Sequence, residues 1–219
     1  MLRPWVLRHG ILYWLADREL LLENYLITEK GRRTVFDREG VVLEITSRYA
    51  GRPSIEIVVD TETNILLAAD YRDYQGKTTL RSGFRTLLID PELPARSPSQ
   101  GRQRQSSDVE KWKQSRSQGV PFAVLEPQFL PDGFVRKSCW KSRRSARLNT
   151  MYSDGFAWIQ ISLAVADPGS PERVVKQSRC GSRTSMNMVL NGVSVRLVGH
   201  LEPEILLKVL GSLAVRTES

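Results

Sequence analysis

The sequence has few of the residues on which catalytic and metal-binding proteins depend. Its 219 residues include two cysteines and two histidines, and Cys139 and Cys180 do not form a CxxC pair. A zinc site needs three or four Cys, His or carboxylate ligands at close spacing, so we expect no metal and no other cofactor. No acid, base and nucleophile stand together in a catalytic motif. The sequence therefore indicates a protein that is not an enzyme.

Long apolar runs are also missing. No stretch approaches the roughly 18 residues that a membrane-spanning helix requires, so no membrane span is predicted. Arg3 and Arg8 precede a short apolar segment at residues 10–16, but Tyr13 and Trp14 stand where a signal-peptide cleavage site needs small residues. We therefore expect no signal peptide in this chain.

The net charge of +8 is unevenly distributed. Residues 1–90 contain 13 basic and 13 acidic side chains, residues 91–119 contain six and three, and residues 120–219 contain 13 and eight. A protein that binds nucleic acid through its overall charge would carry basic residues along the whole chain. A surface on which single-stranded nucleic acid stacks would alternate aromatic with basic residues, and few aromatic residues do so here. We expect no nucleic-acid partner.

Residues 48–90 predict three successive antiparallel strands. Ile55, Ile57 and Val59 lie on one face with Glu56 on the other, which is the period of a half-buried strand. Strands are predicted at 54–59, 65–71 and 77–89, with Gly76 at a turn position that needs positive φ. Before them the sequence predicts a helical turn at 17–25 and strands at 25–29, 34–38 and 41–47. A turn at 30–33 and a break at Glu39–Gly40 separate these strands.

Residues 91–119 have the composition of a linker. Three prolines end the last strand, and the Ser-, Gln- and Arg-rich segment that follows has little to bury. A flexible tether is predicted, with a short polar helix around Trp112.

The remainder predicts a second sheet closed by a helix. Strands are expected at 135–140, 148–152, 156–165, 174–179, 184–190 and 193–198. Asn191-Gly192 joins the last two strands, a strong hairpin signal. Pro203 begins a helix, and its apolar face is formed by Ile205, Leu206, Val209, Leu210 and Leu213.

Two sets of motifs resemble the RseB/MucB family. The first set comprises Asp60, Thr63, Leu66, Leu67, Asp73, Gly76 and Phe84 to Leu87, and it is similar to the last strands of that family's N-terminal domain. The Leu21-x-x-Asn24-Tyr25 segment is similar to the one that leads into an earlier strand. The second set comprises Leu130 to Phe134, Tyr152 to Ala157, Gly192 to Val195 and the Pro-started helix, and it resembles the C-terminal domain.

The resemblance implies an α+β fold in two domains. Residues 1–90 are expected to form an incomplete curved antiparallel sheet of the lipoprotein-carrier type, shortened at its N-terminus. Residues 91–119 are the linker, and residues 120–219 are expected to form a smaller antiparallel sheet packed by the C-terminal helix.

The same resemblance implies a function. RseB-like proteins regulate extracytoplasmic sigma factors by binding the extracytoplasmic part of a membrane anti-sigma factor and protecting it from proteolysis. A periplasmic location is expected from this. The alternative is a carrier or sensor of lipid or lipoprotein acyl chains, including lipopolysaccharide, and a deep apolar cavity in residues 1–90 would favour it.

One group of residues is a candidate for binding an acidic partner. It consists of Arg136, Lys137, Trp140, Lys141, Arg143, Arg144 and Arg147. A solvated basic loop is the ordinary alternative. Cys139 and Cys180 lie on predicted strands of one sheet and could form a disulfide if those strands are neighbours; two buried free thiols are the alternative. Ser153 belongs to a turn, and His9 and His200 are expected at the surface or near a terminus.

Overall fold

The structure, a computed structural model, describes residues 17–84, 120–142 and 146–215. Within these ranges the chain forms two helices and thirteen strands. In chain order they are α1 (Arg18–Asn24), β1 (Tyr25–Val35), β2 (Arg38–Ser47), β3 (Ser54–Asp60), β4 (Leu66–Arg72), β5 (Thr78–Gly83), β6 (Leu125–Pro127), β7 (Val135–Lys141), β8 (Leu148–Ser153), β9 (Trp158–Val165), β10 (Lys176–Cys180), β11 (Arg183–Leu190), β12 (Val193–Gly199), α2 (Pro203–Gly211) and β13 (Leu213–Val215).

The first sheet contains β1 to β5 in sequence order, with every neighbouring pair antiparallel. Helix α1 begins after Asp17, whose side chain accepts a hydrogen bond from the Leu20 N–H and so caps an otherwise unpaired donor. The three strands predicted in residues 54–89 are confirmed as β3, β4 and β5. Gly76 has a φ of +77°, as the turn between β4 and β5 requires. The end of the third predicted strand and the predicted linker with its helix lie outside the described residues.

The turn predicted at residues 30–33 and the strand break predicted at Glu39–Gly40 are both wrong. Residues 30–33 belong to β1, and Glu39 and Gly40 belong to β2. The turn is at Phe36 and Asp37, both of which have positive φ. A Cβ on Gly40 would lie 2.5 Å from Val58 Cγ1, so glycine permits close packing at this position instead of marking a turn.

The second sheet has six strands in the order β10-β11-β12-β9-β8-β7. Asn191 and Gly192 both have positive φ between β11 and β12, which confirms the predicted hairpin. One face carries the apolar residues of these strands, which form a core with Leu206, Val209 and Leu210 of α2. The predicted packing of the helix on the sheet is confirmed.

A two-stranded sheet of β6 and β13 was not predicted. Each strand has three residues, too few to show a period. Leu213, which the sequence placed on the helix face, belongs to β13.

The predicted fold class, α+β with two antiparallel sheets and a C-terminal helix, is confirmed. The core of the first sheet is not self-contained: Phe156, from the turn between β8 and β9, packs with Tyr25, Ile55 and Tyr71. The second sheet therefore supplies part of the core of the first.

Candidate functional site

The described members of the predicted basic group do not all lie on one face of the second sheet. Arg136 forms an ion pair with Glu126 at 2.8 Å, and Lys137 forms one with Asp17, the capping residue of α1. Both cations are therefore used within the chain. Lys141 and Arg147 are exposed and Trp140 is half-buried, while Arg143 and Arg144 lie outside the described residues.

The register of β7 divides this group between two sides of the sheet. Arg136 and Lys141 lie opposite Tyr152 and Leu148, which are core residues, whereas Trp140 lies opposite Asn149 on the other face. Side chains alternate between the faces of a strand, so Trp140 does not share a face with Arg136 and Lys141. A basic dock formed by the whole group stays a prediction.

The cysteines do not meet the condition for a disulfide. Cys139 is on β7 and Cys180 is on β10, the two opposite edges of the second sheet. Because neighbouring strands are about 4.8 Å apart, the two Cα atoms are far beyond the ~7 Å that a disulfide allows. Both cysteines are free, with Cys139 half-buried and Cys180 exposed, so the alternative of two buried thiols is also wrong.

The turn between β8 and β9 places a carboxylate between the two sheets. Asp154 has no exposed side-chain surface and pairs at 2.6 Å with Arg52, whose side chain is 2% exposed. The Tyr25 hydroxyl donates to the same carboxylate at 3.0 Å, and the N–H groups of Phe156 and Ala157 donate at 3.1 and 2.7 Å. Burial raises the pKa of Asp154, and Arg52 opposes that shift.

Two further contacts surround this ion pair. Asn24 donates its amide to the Asp154 carbonyl oxygen at 3.1 Å, and Arg52 donates to the carbonyl oxygen of Asp132. A Cβ on Gly155 would lie 2.5 Å from the Leu21 nitrogen, so only glycine permits this approach of α1. We call Asn24, Tyr25, Arg52 and Asp154 the polar junction.

Sequence reasoning assigned Ser153-Asp154-Gly155 to an ordinary turn and missed the polar junction. The turn is present, and Ser153 donates to the Ala157 carbonyl oxygen inside it. The sequence did contain a signal for the junction, namely the motifs on which the family resemblance rests. Three of these motifs meet in space at the junction: Asn24-Tyr25, Leu130–Phe134 and Tyr152–Ala157.

A second bridge joins the sheets through His200. Its Nδ1 is 2.5 Å from the Tyr71 hydroxyl, and its ring centroid is 4.7 Å from that of Trp158. His200 is therefore not the surface residue that the sequence suggested, whereas His9 lies outside the described residues. Burial lowers the pKa of His200 to about 4, with a smaller contribution from Arg183.

A third bridge is at the edge of the second sheet. Arg179 of β10 pairs with Asp73 at 2.6 Å and lies beside the Tyr74 ring. Asp73 is buried in the turn between β4 and β5, where it also accepts the backbone N–H groups of Gln75 and Lys77. Polar contacts therefore connect the two sheets at three separate positions.

The described residues contain no group of three His, Cys, Asp or Glu side chains placed to hold a metal ion. None of the helices described is long and apolar enough to cross a membrane.

Comparisons with known proteins confirm the resemblance. Residues 11–102 match the family model described as the MucB/RseB N-terminal domain. The sigma-E factor regulatory protein RseB of Escherichia coli (strain K12) is 25% identical over 201 residues, which are 86% of this chain and 59% of that protein. RseB of Shigella flexneri matches to the same extent. The chain therefore spans about 59% of the length of these curated relatives.

Solved structures extend the likeness to the whole fold. The crystal structure of MucB in complex with MucA(peri) superposes with a TM-score of 0.67 and 19% identity, covering 96% of this chain and 74% of that one. The Pseudomonas aeruginosa MucA/MucB complex gives the same TM-score and covers 92% of this chain and 69% of that one.

Proposed function

Because this chain is related to the MucB/RseB proteins, we propose that it is a non-enzymatic regulator of an extracytoplasmic sigma factor. It binds the extracytoplasmic region of a membrane anti-sigma factor in the periplasm and protects that region from proteolysis. The observation that carries this proposal is the fold match over 96% of the chain to MucB in complex with MucA(peri). We further propose that the chain divides into two domains, residues 1–90 and residues 120–219, joined by a linker at residues 91–119.

The charge of the second sheet supports a protein partner. None of the strands β7 to β12 contains an Asp or a Glu, although these strands carry several Lys and Arg side chains. Arg136, Lys137 and Arg179 pair with acidic residues outside these strands, whereas the structure records no ion pair of Arg183 or Arg196 with a described residue. Positive charge left unpaired in this way speeds association with an acidic partner and selects against basic ones.

The packing of the first sheet gives less support to an acyl-chain carrier. Its apolar face contains Ile55, Ile57 and Tyr71, each less than 9% exposed, and Leu21 and Phe156 from the rest of the chain pack with them. An acyl chain bound to these residues would have to displace Phe156, which is 2% exposed.

Regulation requires a signal that changes the affinity for the anti-sigma factor. A ligand shifts a binding equilibrium only by its differential affinity for the two states, so the stress signal must bind the free regulator more tightly than the complex.

Calorimetric titration of the full chain with the extracytoplasmic segment of the anti-sigma factor from the same organism tests the proposal. We expect saturable binding with one segment per chain, and slower cleavage of the bound segment by a nonspecific protease. The control is the same protease acting on an unrelated unfolded peptide, which the chain should not protect. A folded chain that does not bind the segment contradicts the proposal.

A further inference from the structure

The face of the second sheet opposite α2 contributes no residue to the core of that sheet. The core residues of β8, β9, β11 and β12 alternate with a second set that is mostly Ser, Asn, Gln, Lys and Arg. Side chains of this second set point to the other side of the sheet. Among the described residues, this face is polar where the helix-covered face is apolar.

One line of residues crosses all six strands on this polar face. The pairing register places its members directly opposite one another from β10 to β7, and we call them the polar row: Lys176, Asn187, Arg196, Ser162, Asn149 and Trp140. Five strand spacings of about 4.8 Å make the row about 24 Å long, which is the length of roughly seven residues of extended chain.

The middle of the polar row is held in a fixed arrangement. Ser162 donates its hydroxyl to the Asn149 side-chain oxygen at 2.7 Å, and Gln160 donates to the same two residues at 3.2 and 3.4 Å. These contacts set the orientation of the Asn149 amide, whose nitrogen is a donor. Asn149 and Ser162 are each only 6% exposed, so this hydrogen-bonded centre fixes the strands beneath the row. The exposed part of the row is its charged end, at Lys176, Asn187 and Arg196.

The charged end is not neutralised by the part of the chain that the structure describes. Lys176 and Arg196 are exposed, and neither forms an ion pair with any described residue. Arg196 contacts only the Ser185 hydroxyl, at 3.4 Å. The two cations are two strands apart, about 10 Å, which matches carboxylates two or three residues apart on an extended chain.

We propose that the exposed end of the polar row, at Lys176, Asn187 and Arg196, is the docking surface for an extended acidic segment of the protein partner. This inference rests on the proposed function and identifies where that partner binds and what chemistry it presents. A lipid surface fits the row less well, because membrane-binding faces combine cations with exposed bulky apolar residues. Trp140, the bulky apolar member of the row, is half-buried.

The test compares two double charge reversals in the full chain. Lys176→Glu with Arg196→Glu changes the row, and Lys77→Glu with Lys208→Glu makes the same change of net charge at exposed positions outside it. At low salt we expect the row variant to bind the anti-sigma segment at least about tenfold more weakly and the control variant less than about threefold more weakly. Both losses of affinity should be smaller near 0.5 M salt, because the Debye length is then ~4 Å and interactions between exposed charges are screened.

Equal losses in both variants, or unchanged affinity of the row variant, would overturn the inference. Circular dichroism and thermal unfolding establish that each variant is folded. If the reversal unfolds the chain, Lys176→Gln with Arg196→Gln replaces it and must show a smaller loss in the same direction.

Two further probes separate this inference from the proposed function. If the wild-type chain does not bind the anti-sigma segment, the proposed function fails, and a synthetic Glu-rich peptide then tests the row by itself. Binding of that peptide that depends on Lys176 and Arg196 supports the row, and no binding refutes it. Phosphatidylglycerol vesicles are the other probe: vesicle binding that the row variant loses, with partner binding intact, assigns the row to lipid and overturns the inference.

Discussion

The two sheets of this protein differ in how their charges are balanced. The strands of the first sheet carry equal numbers of basic and acidic side chains, which are Lys30, Arg32, Arg33, Arg38, Arg72, Arg81, Glu29, Glu39, Glu44, Glu56, Asp60 and Asp70. Every basic member of that set forms an ion pair. The strands of the second sheet contain no acidic residue at all. The first sheet therefore neutralises itself, whereas the strands of the second sheet carry positive charge with no acidic residue of their own.

The two sheets also differ in their apolar cores, and here the first sheet is the one that is not self-sufficient. The second sheet has a large core of its own under α2, while the core of the first sheet includes Phe156 from the second. Phe156 contacts the rings of Tyr25 and Tyr71 at centroid distances of 5.5 and 5.4 Å. The first sheet therefore depends on the second for its packing. The turn that supplies Phe156 also supplies Asp154 of the polar junction.

The largest expected effect comes from breaking the polar junction. Asp154→Ala leaves the Arg52 guanidinium buried without its carboxylate, and breaking a buried pair in this way costs about 3–5 kcal/mol. We expect that loss in the free energy of unfolding from a denaturant titration. Hydrogen exchange should rise more in β3 and β4 than in β9 and β12.

Asp132→Ala is the matched control, because Asp132 is exposed and only its backbone contacts Arg52. A loss below about 1 kcal/mol for Asp154→Ala, or equal losses for the two variants, is incompatible with a junction that holds the sheets together.

The second effect uses pH to distinguish the His200 bridge from the paired charges of the first sheet. The pKa of His200 is lowered from 6.5 to about 4 in the folded chain, so the unfolded chain binds this proton more tightly. Stability should therefore fall as the pH is lowered from about 6.5 to about 4, by on the order of 2–3 kcal/mol. The physical cause is that His200 Nε2 is buried without a partner, so a second ring proton has no acceptor.

Stability measured across this range in wild type and in His200→Gln provides the check. The variant should lack the loss between pH 6.5 and 5, where few carboxylates titrate. The loss of stability that comes from protonating the carboxylates of the first sheet occurs at lower pH, because the hydrogen bond from Arg38 lowers the pKa of Asp60. Identical pH profiles of the two proteins contradict the role of His200.

The smallest effect compares one cation from each sheet. Arg72 pairs with Glu44 and Glu56 at 2.9 and 2.8 Å, whereas Arg196 has no carboxylate partner among the described residues. Arg72→Gln should cost about 0.5–1 kcal/mol at low salt and less at high salt, as expected for partly exposed ion pairs. Arg196→Gln should change stability by less than about 0.5 kcal/mol in either direction. Equal losses of unfolding free energy for Arg72→Gln and Arg196→Gln in denaturant titrations would contradict the claim that only the first sheet balances its charges.

Much of the fold could be predicted from the sequence, because alternating strands and tight turns are local signals. The strands at Ser54–Asp60 and Val193–Gly199 and the turn at Asn191-Gly192 are examples. The first hairpin was mispredicted because Gly40 was interpreted as a break, when its role is close packing on Val58. The strands β6 and β13 were missed because three-residue strands exist only through their partner.

The candidate sites were less predictable. Arg136 and Lys137 are adjacent in sequence, but ion pairs with Glu126 and Asp17 direct them to different partners. Lys176 and Trp140 are distant in sequence, but the strand order places them in one row. Cys139 and Cys180 were correctly placed in one sheet, and the strand order put them at its opposite edges.

The sequence by itself determined most of the strands and tight turns, the family resemblance and the excess of positive charge in the second half, because each depends on residues close together in the chain. Only the tertiary structure decided which charges are neutralised and which remain available. Asp154 is a turn residue in the sequence and the centre of a buried ion pair in the fold, because Arg52 lies 102 residues away along the chain and 2.6 Å away in space.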